Sequence, residues 1–156
     1  MLVLEIPGRG RIEIKHIVFD FNGTLATDGK LTSATREQLT KLSELAEIHV
    51  LTADTYGSAQ AECRGLNLTI NTFPGARGAE GKAQIVQALG PAQTLCIGNG
   101  RSDLLMAELC ALSIAIIGPE GAYGPLLAVS DIVVTSLEDV FALLTNPQRI
   151  VATLRS

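Results

Sequence analysis

The sequence predicts an α/β fold, a doubly wound, Rossmann-like parallel sheet with helices on both faces, preceded by a short N-terminal β-hairpin. Short apolar runs alternate along the chain with segments of helical periodicity, which is typical of βαβ units. These runs do not alternate apolar and polar residues, so both faces of their sheet should be covered. The chain has 156 residues, and we expect residues 1–156 to form one domain.

The elements follow in order from these patterns. Alternating residues around a Pro-Gly-Arg-Gly turn predict a hairpin over residues 2–14. Six apolar runs predict the strands of the main sheet, at residues 17–19, 48–51, 68–70, 94–97, 114–117 and 132–134. Leucine at every third position from Leu39 to Leu45 predicts a helix that starts behind Thr32. Another helix is predicted over Ala83–Leu89, stopping at Gly90-Pro91.

Composition excludes several function classes. The formal net charge is −4 and there are no Trp, two Tyr and four Phe, so no basic, aromatic surface for nucleic acid is expected. The most apolar stretch, Leu104 to Ile117, is broken by Glu108 and is too short to cross a membrane. The three cysteines have no framework spacing. We therefore expect a cytoplasmic protein that binds neither nucleic acid nor membranes.

Polar residues follow the predicted strands, where ligands bind in such sheets. Asp20 ends the first run, and an unpaired carboxylate inside an apolar strand is costly or changes its pKa. Asp20 therefore indicates a metal, phosphate or nucleophilic role, although Asn22-Gly23 would also suit a hairpin turn. Thr52 ends the second run and could donate its hydroxyl to a phosphate oxygen. Residues 52–55 would equally suit a helix N-cap, so both interpretations stay open.

The second half of the chain adds a cation and a glycine-rich loop. Lys82 is the only lysine after residue 41 and is expected in the first turn of its helix, where the helix dipole disfavours a cation. This placement favours an anionic partner for Lys82 over a solvated surface position. Gly98-Asn99-Gly100 lets the backbone approach a ligand, and Asp103 is expected near the start of the next helix.

Together these motifs resemble the four motifs of the haloacid dehalogenase superfamily, over residues 16 to about 135. The motifs are Asp20-Phe21-Asn22-Gly23-Thr24-Leu25, Thr52-Ala53-Asp54, Lys82 and Gly98-Asn99-Gly100-x-Ser102-Asp103. Within the superfamily they look most similar to the phosphorylation domain of P-type ATPases and its soluble relatives. The resemblance implies a Mg²⁺-dependent phosphohydrolase whose Asp20 attacks a phosphoryl group and forms an aspartyl-phosphate.

The resemblance also implies roles for individual residues. The implied catalytic residues are Asp20, Asn22, Thr52 and Lys82. The implied phosphate-binding residues are Asp20, Gly23, Thr52, Ala53 and Lys82. The implied Mg²⁺ ligands are Asp20, Asn22 through its backbone carbonyl, Asn99 and Asp103.

Two residues depart from the family pattern. Asn22 stands where these phosphatases usually have a second aspartate as general acid and base, and an amide cannot exchange a proton. We therefore expect a preference for leaving groups that are stable as anions, such as aryl or acyl phosphates and phosphoanhydrides. Asn99 stands where an acidic metal ligand is common, so Mg²⁺ affinity should be weaker.

The spacing of the motifs leaves no room for a cap domain. Thr52 follows Asp20 by 32 positions, and Lys82 follows Thr52 by 30. The site should therefore be open to a small phosphorylated substrate. Self-association that covers the site is a further hypothesis, because the hairpin offers an apolar face and an edge.

Two other functions remain as alternatives. Asn22 and Asn99 could mark a catalytically weak phosphate- or partner-binding regulatory module of the same fold. A phospho-acceptor receiver domain also combines Asp, Thr and Lys in a doubly wound sheet. It is disfavoured because it would need an acceptor aspartate on the third strand, and residues 68–71 contain no acid.

Overall fold

The computed structural model describes residues 1–53, 57–73 and 75–156. The hairpin strands are β1 (Leu2–Ile6) and β2 (Gly10–Ile14). The main sheet contains β3 (His16–Asp20), β4 (Glu47–Thr52), β5 (Thr69–Thr72), β6 (Thr94–Gly98), β7 (Leu112–Ile116) and β8 (Ile132–Val134). The α-helices are α1 (Ser33–Leu42), α2 (Ser58–Glu62), α3 (Gly78–Leu89), α4 (Leu104–Leu109), α5 (Gly124–Val129), α6 (Leu137–Thr145) and α7 (Gln148–Leu154). None of the helices within these described ranges is long and apolar enough to cross a membrane.

The main sheet has the strand order β5-β4-β3-β6-β7-β8, and every pair of neighbours is parallel. From β3 the chain adds β4 and β5 on one side, and then crosses over to add β6, β7 and β8 on the other. The order therefore reverses between β3 and β6. Such a switch point opens a crevice at the carboxyl ends of the two strands, which is where ligands bind in open α/β sheets.

Both faces of the sheet are covered, as predicted for a doubly wound fold. Alternate residues of a strand point to opposite faces. Val18 and Cys96 lie in a buried cluster with Val86 of α3 and Met106 of α4. On the other face the strands contribute to the largest buried cluster, together with residues of α1, α2 and α6. This two-sided burial explains why the strands are apolar runs without alternation.

Helix boundaries differ from the sequence prediction by about one turn. Thr32 does cap α1, since its side chain accepts from the Thr35 amide. The helix ends at Leu42, so Leu45 falls in the following turn and is 38% exposed. Helix α3 begins at Gly78, which places Lys82 in the second turn and not the first. The prediction that the helix dipole disfavours a cation at Lys82 is therefore wrong, because the dipole effect fades within the first turn.

The hairpin packs on the rest of the chain. Leu2, Leu4 and Ile6 point to one side of β1 and are buried. They belong to the same cluster as Ile150 of α7, and α7 lies against β1. The apolar face that the sequence suggested for self-association is thus covered by the chain's own C-terminal helix.

Candidate active site

The carboxyl ends of β3, β4 and β6 meet at one edge of the sheet and bring the predicted residues together. Asp20, Thr52 and Gly98 are the last residues of these three strands. Asp20, Thr52 and Asn99, the residue after Gly98, border a pocket of about 360 Å³. The pocket is lined by Asp20, Asn22, Thr52, Ala53, Phe73, Gly78, Lys82, Asn99, Gly100, Ser102 and Glu120. It lies at the crevice that the strand order creates.

Lys82 is the centre of a buried ion cluster. Its Nζ lies 2.8 Å from Asp20 Oδ1 and 2.7 Å from Asp103 Oδ1, and it also donates to Ser102 Oγ at 2.9 Å. The lysine is 2% exposed and Asp103 is 1% exposed. The anionic partner predicted for Lys82 is therefore present as two carboxylates. Helix α3 reaches them because it packs on the face of the sheet to which the Asp20 side chain points.

Asp103 also shapes the loop that follows β6. Its Oδ2 accepts from the amide N–H groups of Asn99 at 3.1 Å and Gly100 at 3.0 Å. A side chain on Gly98 would overlap this carboxylate, so the loop requires glycine there. Asp103 thus uses one oxygen to hold the loop and the other to hold Lys82. It is the N-cap residue of α4, near the helix start where the sequence placed it.

The cluster shifts the ionisation of its members. Burial raises the pKa of Asp20 to about 7, and the Asp103 carboxylate adds to the rise while Lys82 opposes it. Burial alone would lower the pKa of Lys82, but the two carboxylates outweigh it and raise that pKa. Two carboxylates thus share one ammonium group, which leaves an excess of negative charge that favours a bound cation.

Some residues at the site were not singled out from the sequence. The Thr24 hydroxyl lies 3.4 Å from Asp20 Oδ2 and 3.3 Å from Asn99 Oδ1, within reach of either. Thr24 stands inside the first motif, which was the available signal. Phe73 and Glu120 reach the pocket from segments without a motif. Their spacing from Asp20 gave no pattern to recognise.

The predicted phosphate-binding residues Thr52, Ala53 and Gly23 lie in different surroundings. Thr52 is buried at the end of β4 and Ala53 is exposed beside it. Since α2 begins at Ser58 with Gly57 as its N-cap, Thr52 does not cap that helix. Asp54 and Thr55 lie outside the described residues.

Gly23 borders an adjoining cleft instead of this pocket, and its N–H donates to the Ala26 carbonyl. Its phosphate-binding role stays a prediction.

The donor set suits a hard divalent cation. Mg²⁺ prefers carboxylate and carbonyl oxygens and keeps several waters. Asp20 and Asn99 supply such oxygens on either side of the Thr24 hydroxyl. Asn22 lines the same pocket, and its backbone carbonyl could be a further ligand of the ion. Both Asp103 oxygens already have partners within the chain, so Asp103 would need to give one up to bind the ion directly.

Replacing Lys82 by methionine should lower the free energy of unfolding by about 3–5 kcal/mol in metal-free buffer at pH 8. The substitution keeps an unbranched side chain that is one atom shorter, but it leaves two buried carboxylates without their counter-ion. Chemical denaturation measures the change. The matched control is Lys41→Met on α1, whose lysine side chain is 58% exposed and pairs with Glu37. It should change stability by less than about 0.5 kcal/mol. Equal effects of the two substitutions would show that the buried cluster does not stabilise the fold.

Two known proteins are similar to parts of this chain in sequence. No family model matches the chain. Two proteins of Methanocaldococcus jannaschii share segments of its sequence. Uncharacterized protein MJ0072 is 56% identical over 39 residues, which are 25% of this chain and 89% of that protein. Uncharacterized protein MJ0073 is 43% identical over 61 residues, 39% of this chain and 66% of that protein.

Solved structures resemble the whole fold. The cobalt-bound deoxy-D-mannose-octulosonate 8-phosphate phosphatase of Haemophilus influenzae has a TM-score of 0.73 at 16% identity, covering 92% of this chain and 94% of its own. The Moraxella catarrhalis phosphatase for the same substrate was solved with magnesium, phosphate and the sugar acid. It has a TM-score of 0.69 at 18% identity, and the match covers 91% of this chain and 94% of that protein. A haloacid dehalogenase-like hydrolase of Streptococcus pneumoniae has a TM-score of 0.63 at 18% identity, covering 83% and 97%. The chain has the fold of the haloacid dehalogenase superfamily.

Proposed function

We propose that this protein is a Mg²⁺-dependent phosphohydrolase that acts through an aspartyl-phosphate on Asp20. The observation that supports it most is the meeting of Asp20, Lys82 and Asn99 at the switch point of the sheet, where the sequence motifs led us to expect them. The solved relative from Moraxella catarrhalis holds magnesium and phosphate. It supports the same class of chemistry for this chain.

The proposed reaction has two displacements at phosphorus. In the first, the Asp20 carboxylate attacks in line, an O–P bond forms, and the bond to the leaving group breaks with its electron pair on the departing oxygen. In the second, the oxygen of water bonds to phosphorus and the Asp20 O–P bond breaks with its electron pair on the carboxylate. The proton of water leaves to solvent, and inorganic phosphate and Asp20 are freed. Lys82 and Thr52 would hold the oxygens of the transferring group. Mg²⁺, when bound by Asp20, Asn99 and the Asn22 carbonyl, would offset the charge between phosphate and carboxylate.

The leaving group departs without a proton in this proposal. Asn22 is exposed at the mouth of the pocket, and its amide cannot act as a general acid. We therefore propose aryl or acyl phosphates or phosphoanhydrides as the favoured substrates. The two octulosonate 8-phosphate phosphatases named above are named for a sugar phosphate, an alkyl ester, so the leaving group is the point at which this chain would differ.

Asn22 and Asn99 also support a second candidate, a regulatory module that binds phosphate or a partner with little turnover. Neither amide contributes the charge or the proton that an efficient phosphatase uses. Four expectations from the sequence remain predictions. They are the resemblance to P-type ATPases, a single domain over residues 1–156, a cytoplasmic location and a second copy that covers the open cleft.

Hydrolysis of p-nitrophenyl phosphate distinguishes the two candidates. The enzyme hypothesis predicts turnover that saturates with Mg²⁺ and stops when the metal is chelated. The binding hypothesis predicts that phosphate protects the protein against thermal unfolding in Mg²⁺ while no nitrophenol appears. A phosphatase that works equally well in chelator would contradict both.

A further inference from the structure

Three side chains with metal-binding atoms converge at the other end of the main sheet. His16 is the first residue of β3 and pairs in register with Glu47, the first residue of β4. His49 lies two residues beyond Glu47 and therefore on the same face of the sheet. Four strand positions separate His16 from Asp20, a distance of about 13 Å along β3. The cluster is thus distinct from the candidate active site.

The ligand atoms of this cluster form a compact triangle. His16 Nδ1 lies 3.2 Å from His49 Nε2 and 3.1 Å from Glu47 Oε2, and His49 Nε2 lies 3.8 Å from Glu47 Oε2. A tetrahedral metal with bonds of about 2.0–2.1 Å keeps neighbouring ligand atoms about 3.4 Å apart. The triangle therefore matches one face of such a tetrahedron.

A hydrogen bond alone accounts poorly for this arrangement. In a neutral histidine pair, one ring N–H can donate to the other ring. The Glu47 carboxylate is a second acceptor aimed at the same point, so one N–H group faces two acceptors. A cation at that point would contact all three at once.

We propose that His16, Glu47 and His49 bind a divalent transition metal of the Zn²⁺ class, with a fourth position open to solvent. Two imidazoles and one carboxylate are ligands that suit Zn²⁺, whereas Mg²⁺ prefers oxygen ligands. The side chains of His16 and His49 are only 15% and 9% exposed, so packing holds both rings in place. A cleft of about 890 Å³, bordered by His16 and Glu47, gives the metal access from solvent.

Titration with Zn²⁺ in the presence of excess Mg²⁺ tests the proposal. The chain has two histidines, so the ring-nitrogen NMR spectrum reports on the whole pair without overlap. We expect saturation at one equivalent, with His16 Nδ1 and His49 Nε2 shifting to the resonance range of metal-bound nitrogen. Absorption of the Co²⁺-substituted protein should show the intense visible bands of a tetrahedral site.

Substitutions outside the histidines keep the test independent of folding. Glu47 is 72% exposed, so Glu47→Gln should fold normally while lowering Zn²⁺ affinity by at least about 10–100-fold. Glu44→Gln, which borders the same cleft, is the matched control and should leave the affinity unchanged. Asp20→Asn removes a carboxylate of the candidate active site while the Lys82–Asp103 pair stays, and it should also leave the affinity unchanged. Absence of Zn²⁺ binding would overturn the proposal. So would a Zn²⁺ affinity that is unchanged in Glu47→Gln, or one that falls in Asp20→Asn, because the metal would then lie elsewhere.

Discussion

Replacing Asp20 by asparagine should abolish Mg²⁺-dependent hydrolysis, with a loss of about 10⁴-fold or more in kcat. The asparagine amide has nearly the shape of the carboxylate but is a poor nucleophile, so the first displacement cannot start. Lys82 keeps its 2.7 Å contact with Asp103 in this variant, so the ion cluster loses one partner and not both. The measurement is the initial rate with an aryl phosphate at saturating Mg²⁺, with circular dichroism to confirm folding.

The matched control for this substitution is Asp28→Asn. Asp28 is exposed in the same loop as the first motif and has a positive φ of 52°, a conformation that asparagine also tolerates. It removes the same charge close to the site without touching the pocket, and it should retain nearly full activity. If Asp20→Asn keeps more than about 1% of the wild-type rate, or if Asp28→Asn loses as much, Asp20 is not the nucleophile.

Replacing Asn22 by aspartate should change which leaving groups the enzyme accepts. The new carboxylate lines the pocket mouth and can protonate a departing alkoxide, a contribution worth ~10²–10⁴ in rate. Alkyl phosphomonoesters should gain most, because aryl leaving groups already depart as stable anions. We expect the ratio of kcat/KM for an aryl substrate over an alkyl one to fall by about 10²-fold. Breakdown of the phosphorylated protein should also become faster.

The ratio is the informative quantity because an added negative charge could weaken phosphate binding for both substrates. Asn67→Asp is the control, since it adds the same charge at the opposite end of the sheet, where Asn67 borders the other cleft. It should leave the ratio unchanged. A wild-type protein without leaving-group preference, or an unchanged ratio in Asn22→Asp, would show that position 22 is not the acid–base position.

The fold could be predicted from the sequence because burial on two faces leaves a plain pattern. The apolar runs correspond to the six strands of the main sheet, although β5 begins one residue later than its run. The helix ends were less predictable, because capping and tertiary contacts decide them. The leucine stripe extends to Leu45, but the chain has already turned at Ser43 to enter β4.

The site was partly predictable for a different reason. Asp20 was unusual inside an apolar strand, and the structure shows that Lys82 is its partner. Lys82 was singled out correctly as the partner of an anion, although it does not lie in the first helix turn where it was expected. The contact between Thr24 and Asn99 joins residues 75 positions apart, and no local pattern encodes it. The cluster of His16, Glu47 and His49 depends on the register between β3 and β4. Register is a property of the assembled sheet, so neither histidine stood out in the sequence.

The covalent intermediate tests the central claim most directly. Rapid mixing with one equivalent of an aryl or acyl phosphate in Mg²⁺, followed by an acid quench and mass spectrometry of the peptides, locates any phosphoryl group on the chain. We predict a phosphoryl group on Asp20 that forms within the first turnover, accumulates because Asn22 cannot activate water, and is absent from Asp20→Asn. Substrate turnover with no phosphorylated Asp20 at any quench time, or with the phosphoryl group on another residue, would contradict the account.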